Sequence, residues 1–174
     1  MEYKIRELKT EEYNLLADFL YEAIFQRERA EPLPRSVIEQ PELDIYIRDF
    51  GKYDHDHCLC AETDGRVVGA VWVRIIDAFG HLDSNTPEFA ISTLPEYRGF
   101  GIGTRLMEAM LAYLKRQGYE KTSLAVQKDN YALRMYQHVG FRIIDENEEE
   151  YIMCRYFRAG AAPQGTDGGE EESR

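Results

Sequence analysis

Apolar residues recur along this chain either alternately or at three-to-four spacing, and the switches between the two predict its elements. Tyr3-Lys-Ile-Arg-Glu-Leu alternates as a strand does, and Thr10-Glu-Glu reads as the cap of a helix carrying Leu15, Leu16, Phe19, Leu20 and Ala23. Pro32 and Pro34 mark a loop, after which Ser36 to Phe50 reads as a second, weaker helix. Cys58 to Glu62 and Val67 to Ile76 flank Asp64-Gly65, a strong two-residue hairpin signal. Glu88 to Leu94 reads as a strand ending at Pro95. Arg98 to Gln117 places Ile102, Leu106, Ala109, Met110, Tyr113 and Leu114 on one helical stripe, stopped by Gly118. Thr122 to Gln127 predicts a short strand, and Asn130 to Val139 a short helix stopped by Gly140. Phe141 to Ile144 and Glu150 to Tyr156 pair around an acidic turn. The order β-α-α-β-β-β-α-β-α-β-β predicts a mixed α/β sheet protein with a parallel step across the long helix.

Composition narrows the class. A length of 174 residues predicts one domain, and 12% aromatic residues argue against wholesale disorder. Residues 159 to 174 hold no large apolar side chain, so they are expected to form a disordered acidic tail behind a domain at 1 to 158. Lys and Arg number 21 against 32 Asp and Glu, a net charge of −11. So acidic a surface repels phosphate backbones and anionic lipid, which argues against nucleic acid and membranes as partners. Three cysteines, Cys58, Cys60 and Cys154, are too few for a disulfide framework. With no signal-like N-terminus and no apolar run long enough to span a membrane, the expected location is cytoplasmic.

A local anion site remains open to an acidic chain if backbone N–H groups build it. Arg98-Gly-Phe-Gly-Ile-Gly-Thr104 lies where a strand gives way to the long helix. Glycines there let backbone donors converge on an anion, and the helix N-terminus adds about half a positive charge. The dinucleotide fingerprint fails, because Leu106 or Thr104 falls where its last small residue belongs. A P-loop also fails, since Thr104-Arg105 follows Gly103 in place of Lys-Ser/Thr.

The pattern [Arg/Gln]-x-x-Gly-x-Gly does fit, at Arg98, Gly101 and Gly103, behind Leu94-Pro-Glu-Tyr-Arg-Gly. In this the sequence resembles the GNAT superfamily of N-acetyltransferases. Ser123-Leu-Ala-Val-Gln-Lys-Asp-Asn-Tyr-Ala-Leu-Arg-Met-Tyr-Gln-His-Val-Gly-Phe resembles that family's fifth strand and following helix, so the likeness covers about residues 3 to 156. It implies a central, mostly antiparallel sheet with one parallel, splayed strand pair and helices on both faces. It also implies acetyl-coenzyme A as cosubstrate, with the pyrophosphate on Arg98, Gly99, Phe100, Gly101, Ile102, Gly103 and Thr104. Ile91, Ser92 and Thr93 would pair with pantetheine and polarise the thioester carbonyl, where the plainer reading is ordinary ladder pairing. Asn130 matches a cofactor contact and equally a helix cap. Tyr136 matches the general acid that protonates a leaving thiolate, or else packs as a core aromatic.

For the general base, Glu88 opens the thioester strand, and a merely solvated carboxylate there is the competing reading. Tyr21, Glu22 and Trp72 are acceptor-pocket candidates, because the first helix and hairpin border that pocket in the family. Asp54-His-Asp-His-Cys-Leu-Cys has metal-ligand types but no second cluster, so no metal is expected. The implied function is transfer of acetyl directly to a primary amine of a small molecule or peptide, by a chain that could pair as a homodimer. The rival is a non-catalytic acyl-coenzyme A sensor or interaction module that keeps the loop and transfers nothing.

Overall fold

The computed structural model describes residues 1–26 and 31–157, so the expected tail lies outside the described residues. The strands are β1 (Lys4–Glu7), β2 (His57–Thr63), β3 (Arg66–Arg74), β4 (Glu88–Thr93), β5 (Lys121–Gln127), β6 (Arg142–Glu146) and β7 (Glu150–Tyr156). The helices are α1 (Leu16–Ala23), the single turn α2 (Pro41–Asp44), α3 (Ile102–Arg116) and α4 (Ala132–His138). Seven strands make one sheet in the order β1-β2-β3-β4-β5-β7-β6, antiparallel throughout except between β4 and β5. No described helix is long and apolar enough to cross a membrane.

Alternation along β3 builds a core on each face. Val71 and Val73 pack with Leu106, Met107 and Met110 of α3, while Ala70 and Trp72 pack with Leu16, Phe19 and Leu20 of α1. A bulge opposite Ala61 and Glu62 puts Val68 on the α3 side as well. Asp64 (φ 48°) and Gly65 (φ 74°) close the β2–β3 hairpin in the left-handed region that a two-residue turn of this twist requires.

Two helix readings need correction. Thr10 is not the cap. Lys9 precedes a 3-10 turn at Thr10–Leu15, and its N–H donates to the Glu12 carboxylate at 2.8 Å. Arg6 of β1 holds that carboxylate at 2.8 Å and depresses its pKa to about 2, so a β-strand cation fixes where the helix starts. Ser36 to Phe50 is not one helix but a 3-10 turn at Arg35–Glu39, then α2, then further turns. Pro41 lacks the N–H that would carry a helix across this point.

What holds this crossover is one buried ion pair. Arg74 at the end of β3 meets Asp56 through Nε at 2.9 Å and Nη2 at 3.0 Å, and both side chains are almost fully buried. The same guanidinium donates to the carbonyls of Ile45 and Arg48 at 3.0 and 2.7 Å, while Asp56 also accepts the Gly51 N–H. A charge so placed is stable only while its partner remains. Asp56→Ala is therefore expected to lower unfolding free energy by ~3–5 kcal/mol in denaturant titrations. A loss under ~1 kcal/mol would show that the crossover is anchored elsewhere.

Candidate functional site

The parallel step is where the sheet opens. β4 and β5 share a single register pair, Glu88 with Ser123. Buried hydroxyls clamp that closed end: Thr122 Oγ1 and Ser123 N–H both donate to Pro87 C=O, and Ser123 Oγ donates to Gly80 C=O. Past it the strands part. Leu94 N–H donates to Val68 C=O, so β4 turns its even-numbered backbone groups toward β3. The N–H and C=O of Ile91 and Thr93 consequently face the split.

Two clefts meet there. The first, about 470 Å³, is lined by Ile91, Ser92, Thr93, Arg98, Gly99, Gly101, Ile102, Gly103, Thr104, Asn130 and Tyr136, with Glu22 on its α1 side. The turn from β4 into α3 shapes it. Gly99 and Gly101 adopt φ of +83° and +78°, and a Cβ on either would meet nothing within 4 Å, because it would stand in open space. Gly101 caps α3 with no side-chain bond, which leaves the first N–H groups of this 15-residue helix open to an anion. Phe100, expected within the loop site, is 57% exposed and lies outside the cleft lining.

Several side chains here turn out to be fasteners. Ser92 Oγ donates to Phe19 C=O at 2.6 Å and ties α1 to β4. Arg98 gives Nε to Thr93 C=O at 3.1 Å and Nη2 to Glu22 at 3.0 Å. Glu22 thus sits in the first cleft as the counter-charge of Arg98, so the positive potential left in the loop is chiefly that of backbone N–H groups. Asn130 precedes α4, its Oδ1 accepts the Ala132 N–H at 2.9 Å, and the residue lines the cleft.

The second cleft, about 250 Å³, shares Ile91, Asn130 and Tyr136 with the first. Its other walls come from α1, the α2 crossover, the β3–β4 loop and both strands of the split, through Leu20, Leu43, Tyr46, Phe79, Phe89 and Val126, with Glu150 from β7. Tyr136 stands at the junction. Its ring packs edge-on to Phe141 at 6.0 Å, its hydroxyl has no hydrogen-bond partner among the described residues, and burial raises its pKa to about 12.

Three sequence candidates land elsewhere. Glu88 is neither solvated nor among the residues lining either cleft. Its carboxylate accepts the N–H groups of Ala78 and Gly80 at 3.0 and 3.1 Å and the Tyr46 hydroxyl at 3.2 Å. Burial raises its pKa and those three bonds oppose the rise, so it pins the β3–β4 loop. Trp72 is wholly buried and donates Nε1–H to Tyr46 C=O at 3.0 Å, which makes it core. Tyr21 lines neither cleft, and its hydroxyl holds Leu33 C=O at 2.5 Å. In the histidine-rich run, His55 Nδ1 accepts the Ile75 N–H and Asp56 serves Arg74, while Cys58 and Cys60 are core. Among the described residues no group of three His, Cys, Asp or Glu is placed to hold a metal. Tyr46 and Phe79 escaped the sequence reading, because separate loops bring them to one cleft and no local spacing marks them.

Comparison with known proteins places this geometry. The acetyltransferase (GNAT) family matches residues 20–141, most of the chain. The chain belongs to the GNAT family. It is 33% identical over 106 residues to a mycothiol acetyltransferase of Acidimicrobium ferrooxidans, covering 58% of this chain and 32% of that one. It is 31% identical over 110 residues to an N-alpha-acetyltransferase of Sulfurisphaera tokodaii, covering 54% and 65% respectively. The chain thus spans about a third of the first relative and just under two-thirds of the second. In fold it is similar to the PaiA N-acetyltransferase of Thermoplasma acidophilum, solved in complex with coenzyme A, with a TM-score of 0.65, 23% identity and coverage of 90% and 99%.

One GNAT loop residue separates binding from folding. Gly103 has an ordinary helical backbone, and a Cβ there would meet only the Met135 side chain, Sδ at 3.5 Å and Cε at 3.8 Å. Gly103→Val should therefore keep the parental melting profile and lose at least ~10-fold in coenzyme A affinity by calorimetry, one tenfold step being 1.4 kcal/mol. Unchanged affinity in the folded variant would remove this loop from the site.

Proposed function

We propose that this GNAT chain transfers acetyl from acetyl-coenzyme A directly to a primary amine of a small molecule or peptide. The observation that carries the reading is the pair of clefts joined at Ile91 and Tyr136, one backed by open backbone donors and the other walled mainly by side chains. The residues fit the cosubstrate. The empty volume beside Gly99 and Gly101, the uncapped start of α3 and the free edge of β4 offer the two backbone surfaces that a pyrophosphate and an amide-bearing arm need.

Acetyl-coenzyme A would supply an activated thioester, and the chain's own residues account for the rest. Ile91 N–H is a fixed dipole where carbonyl charge develops, held without reorganisation by the ladder on the other side of β4. The acceptor arrives as an ammonium of pKa near 10.4 and must shed a proton before its nitrogen attacks. Tyr136 keeps its own proton through neutral pH, since burial lifts its pKa to about 12. An ordinary thiol has a pKa near 8.5, so this phenol supports the leaving sulfur chiefly as a hydrogen-bond donor. Glu88, saturated by its three partners, is not proposed as the base.

The test is thiol release and product mass against an amine and peptide panel at saturating acetyl-coenzyme A. Binding without release against every amine would favour the sensor reading. Tyr136→Phe should lower kcat by ~10²-fold while cofactor affinity holds, the usual cost of losing a donor at developing negative charge. The rate should rise from pH 6 to 9 as neutral amine becomes available, with no falling limb from a phenol still protonated across that range. A fully active phenylalanine variant would return Tyr136 to a packing role.

A further inference from the structure

The second cleft is built for a particular kind of amine. Leu20, Phe25, Leu43, Phe79 and Phe89 give it apolar walls, and Glu150 is the single charged side chain among its described lining residues. Phe79 is 46% exposed, a large aromatic held at a cleft wall instead of being folded into the core. Of the two phenols in the cleft, Tyr46 is tied to Glu88 and Tyr136 stands at the junction with the first cleft.

Glu150 differs from its acidic neighbours, which are exposed, in being partly buried. Glu146 of the same turn is paired with Lys128 Nζ at 2.6 Å. Glu150 begins β7 opposite Gln127, half-buried, and its backbone groups close the turn onto Asn147. Its carboxylate has no hydrogen bond or ion pair among the described residues. Burial and the charge of Glu149 raise its pKa, the behaviour of a carboxylate short of a cation. An unpaired carboxylate at an apolar wall is costly until a cation arrives.

We infer that the acceptor is a primary amine on a compact apolar body, an aryl- or alkyl-substituted amine, whose ammonium group is received by Glu150. This rests on the N-acetyltransferase reading above and makes Glu150 a specificity-determining residue. A volume of about 250 Å³ lies below the ~300–1,000 Å³ of pockets for drug-sized ligands, so the body must be small. A polyamine would leave a second ammonium against Phe79 or Leu43 with no counter-charge, and a sugar would strand hydroxyls there. A free arylalkylamine and the α-amine of a peptide with a large apolar first residue present the same chemistry.

The experiment is steady-state kinetics on the full chain at saturating acetyl-coenzyme A. The probes are 2-phenylethylamine, a tetrapeptide beginning with phenylalanine, ethanolamine and spermidine. One or both aromatic amines should exceed ethanolamine and spermidine in kcat/KM by at least ~10-fold, the scale of apolar discrimination in a pocket. Whichever is greater names the source. Glu150→Gln should raise KM for the preferred amine by ~10-fold or more, with kcat and the KM of acetyl-coenzyme A within about threefold, as for one charge-assisted bond. Phe79→Ser, at a partly exposed position independent of the hairpin, should lower selectivity for aromatic over polar amines even if the Glu150 variant fails to fold. Preference for ethanolamine or spermidine, or unchanged KM in a folded Glu150→Gln, overturns the inference and leaves the acetyltransferase reading standing. Absence of thiol release with every amine overturns both.

Discussion

A β-strand has two hydrogen-bonding edges, and the site exists because β4 satisfies only one of them over most of its length. Its ladder with β3 runs from Glu88 to Thr93, while its pairing with β5 stops at Ser123. Unpaired backbone groups are tolerable only where water or a ligand reaches them, so parting the strands creates an opening by necessity. The closed end must then be fastened firmly, which explains the buried Thr122 and Ser123 hydroxyls on Pro87 and Gly80 carbonyls. Arg98 takes one freed acceptor, Thr93 C=O, and so ties the start of the glycine turn to the end of β4.

The electrostatics follow from the same economy of side chains. A chain of net charge −11 does not gather a phosphate on a lysine patch, and here the lone arginine of the loop is matched by Glu22. Backbone N–H groups at the start of α3 carry what positive potential remains, through a helix long enough to have a real dipole. The buried ion pair of the interior lies elsewhere, in Arg74 and Asp56. That pair holds the α2 crossover against β3, and Leu43 and Tyr46 of the crossover form a wall of the second cleft. A buried charge pair outside both clefts thereby helps to shape the second one.

Features written in contiguous residues were legible in the sequence. Asp64-Gly65 announced its turn because positive φ at two adjacent positions admits few residue types. Arg98 to Gly103 announced a glycine turn into a long helix, and Asn130 its place just before a helix, for similarly local reasons. The succession of strands along the chain followed from periodicity and the parallel step from the helical crossover, whereas the mostly antiparallel sheet came with the family resemblance. What failed was anything decided by a distant partner. Thr10 has the right side chain for a cap, yet Glu12, held by Arg6 across on β1, reaches back to Lys9. Ser36 to Phe50 carries a helical stripe broken at Pro41 and pinned by Arg74. Glu88 and Trp72 have chemically suggestive side chains that bond inward, and Tyr21 turns to a loop carbonyl at the surface, which only a fold reveals. Glu150 was one of six residues in an acidic run until the β5–β7 register put it beside a cleft.

The central claim is that the outer edge of β4 is left open for a ligand. Amide hydrogen exchange read residue by residue, with and without saturating acetyl-coenzyme A, tests it directly. Ala90 and Ser92, whose N–H groups face β3, should be protected in both conditions. Ile91 and Thr93 should exchange freely in the unliganded chain and gain at least ~10-fold protection when the ligand binds, as each acquires or shelters a hydrogen bond. Ile91 and Thr93 amides already as slow as their neighbours, or unchanged at saturation, would contradict the open edge and with it the account of the site.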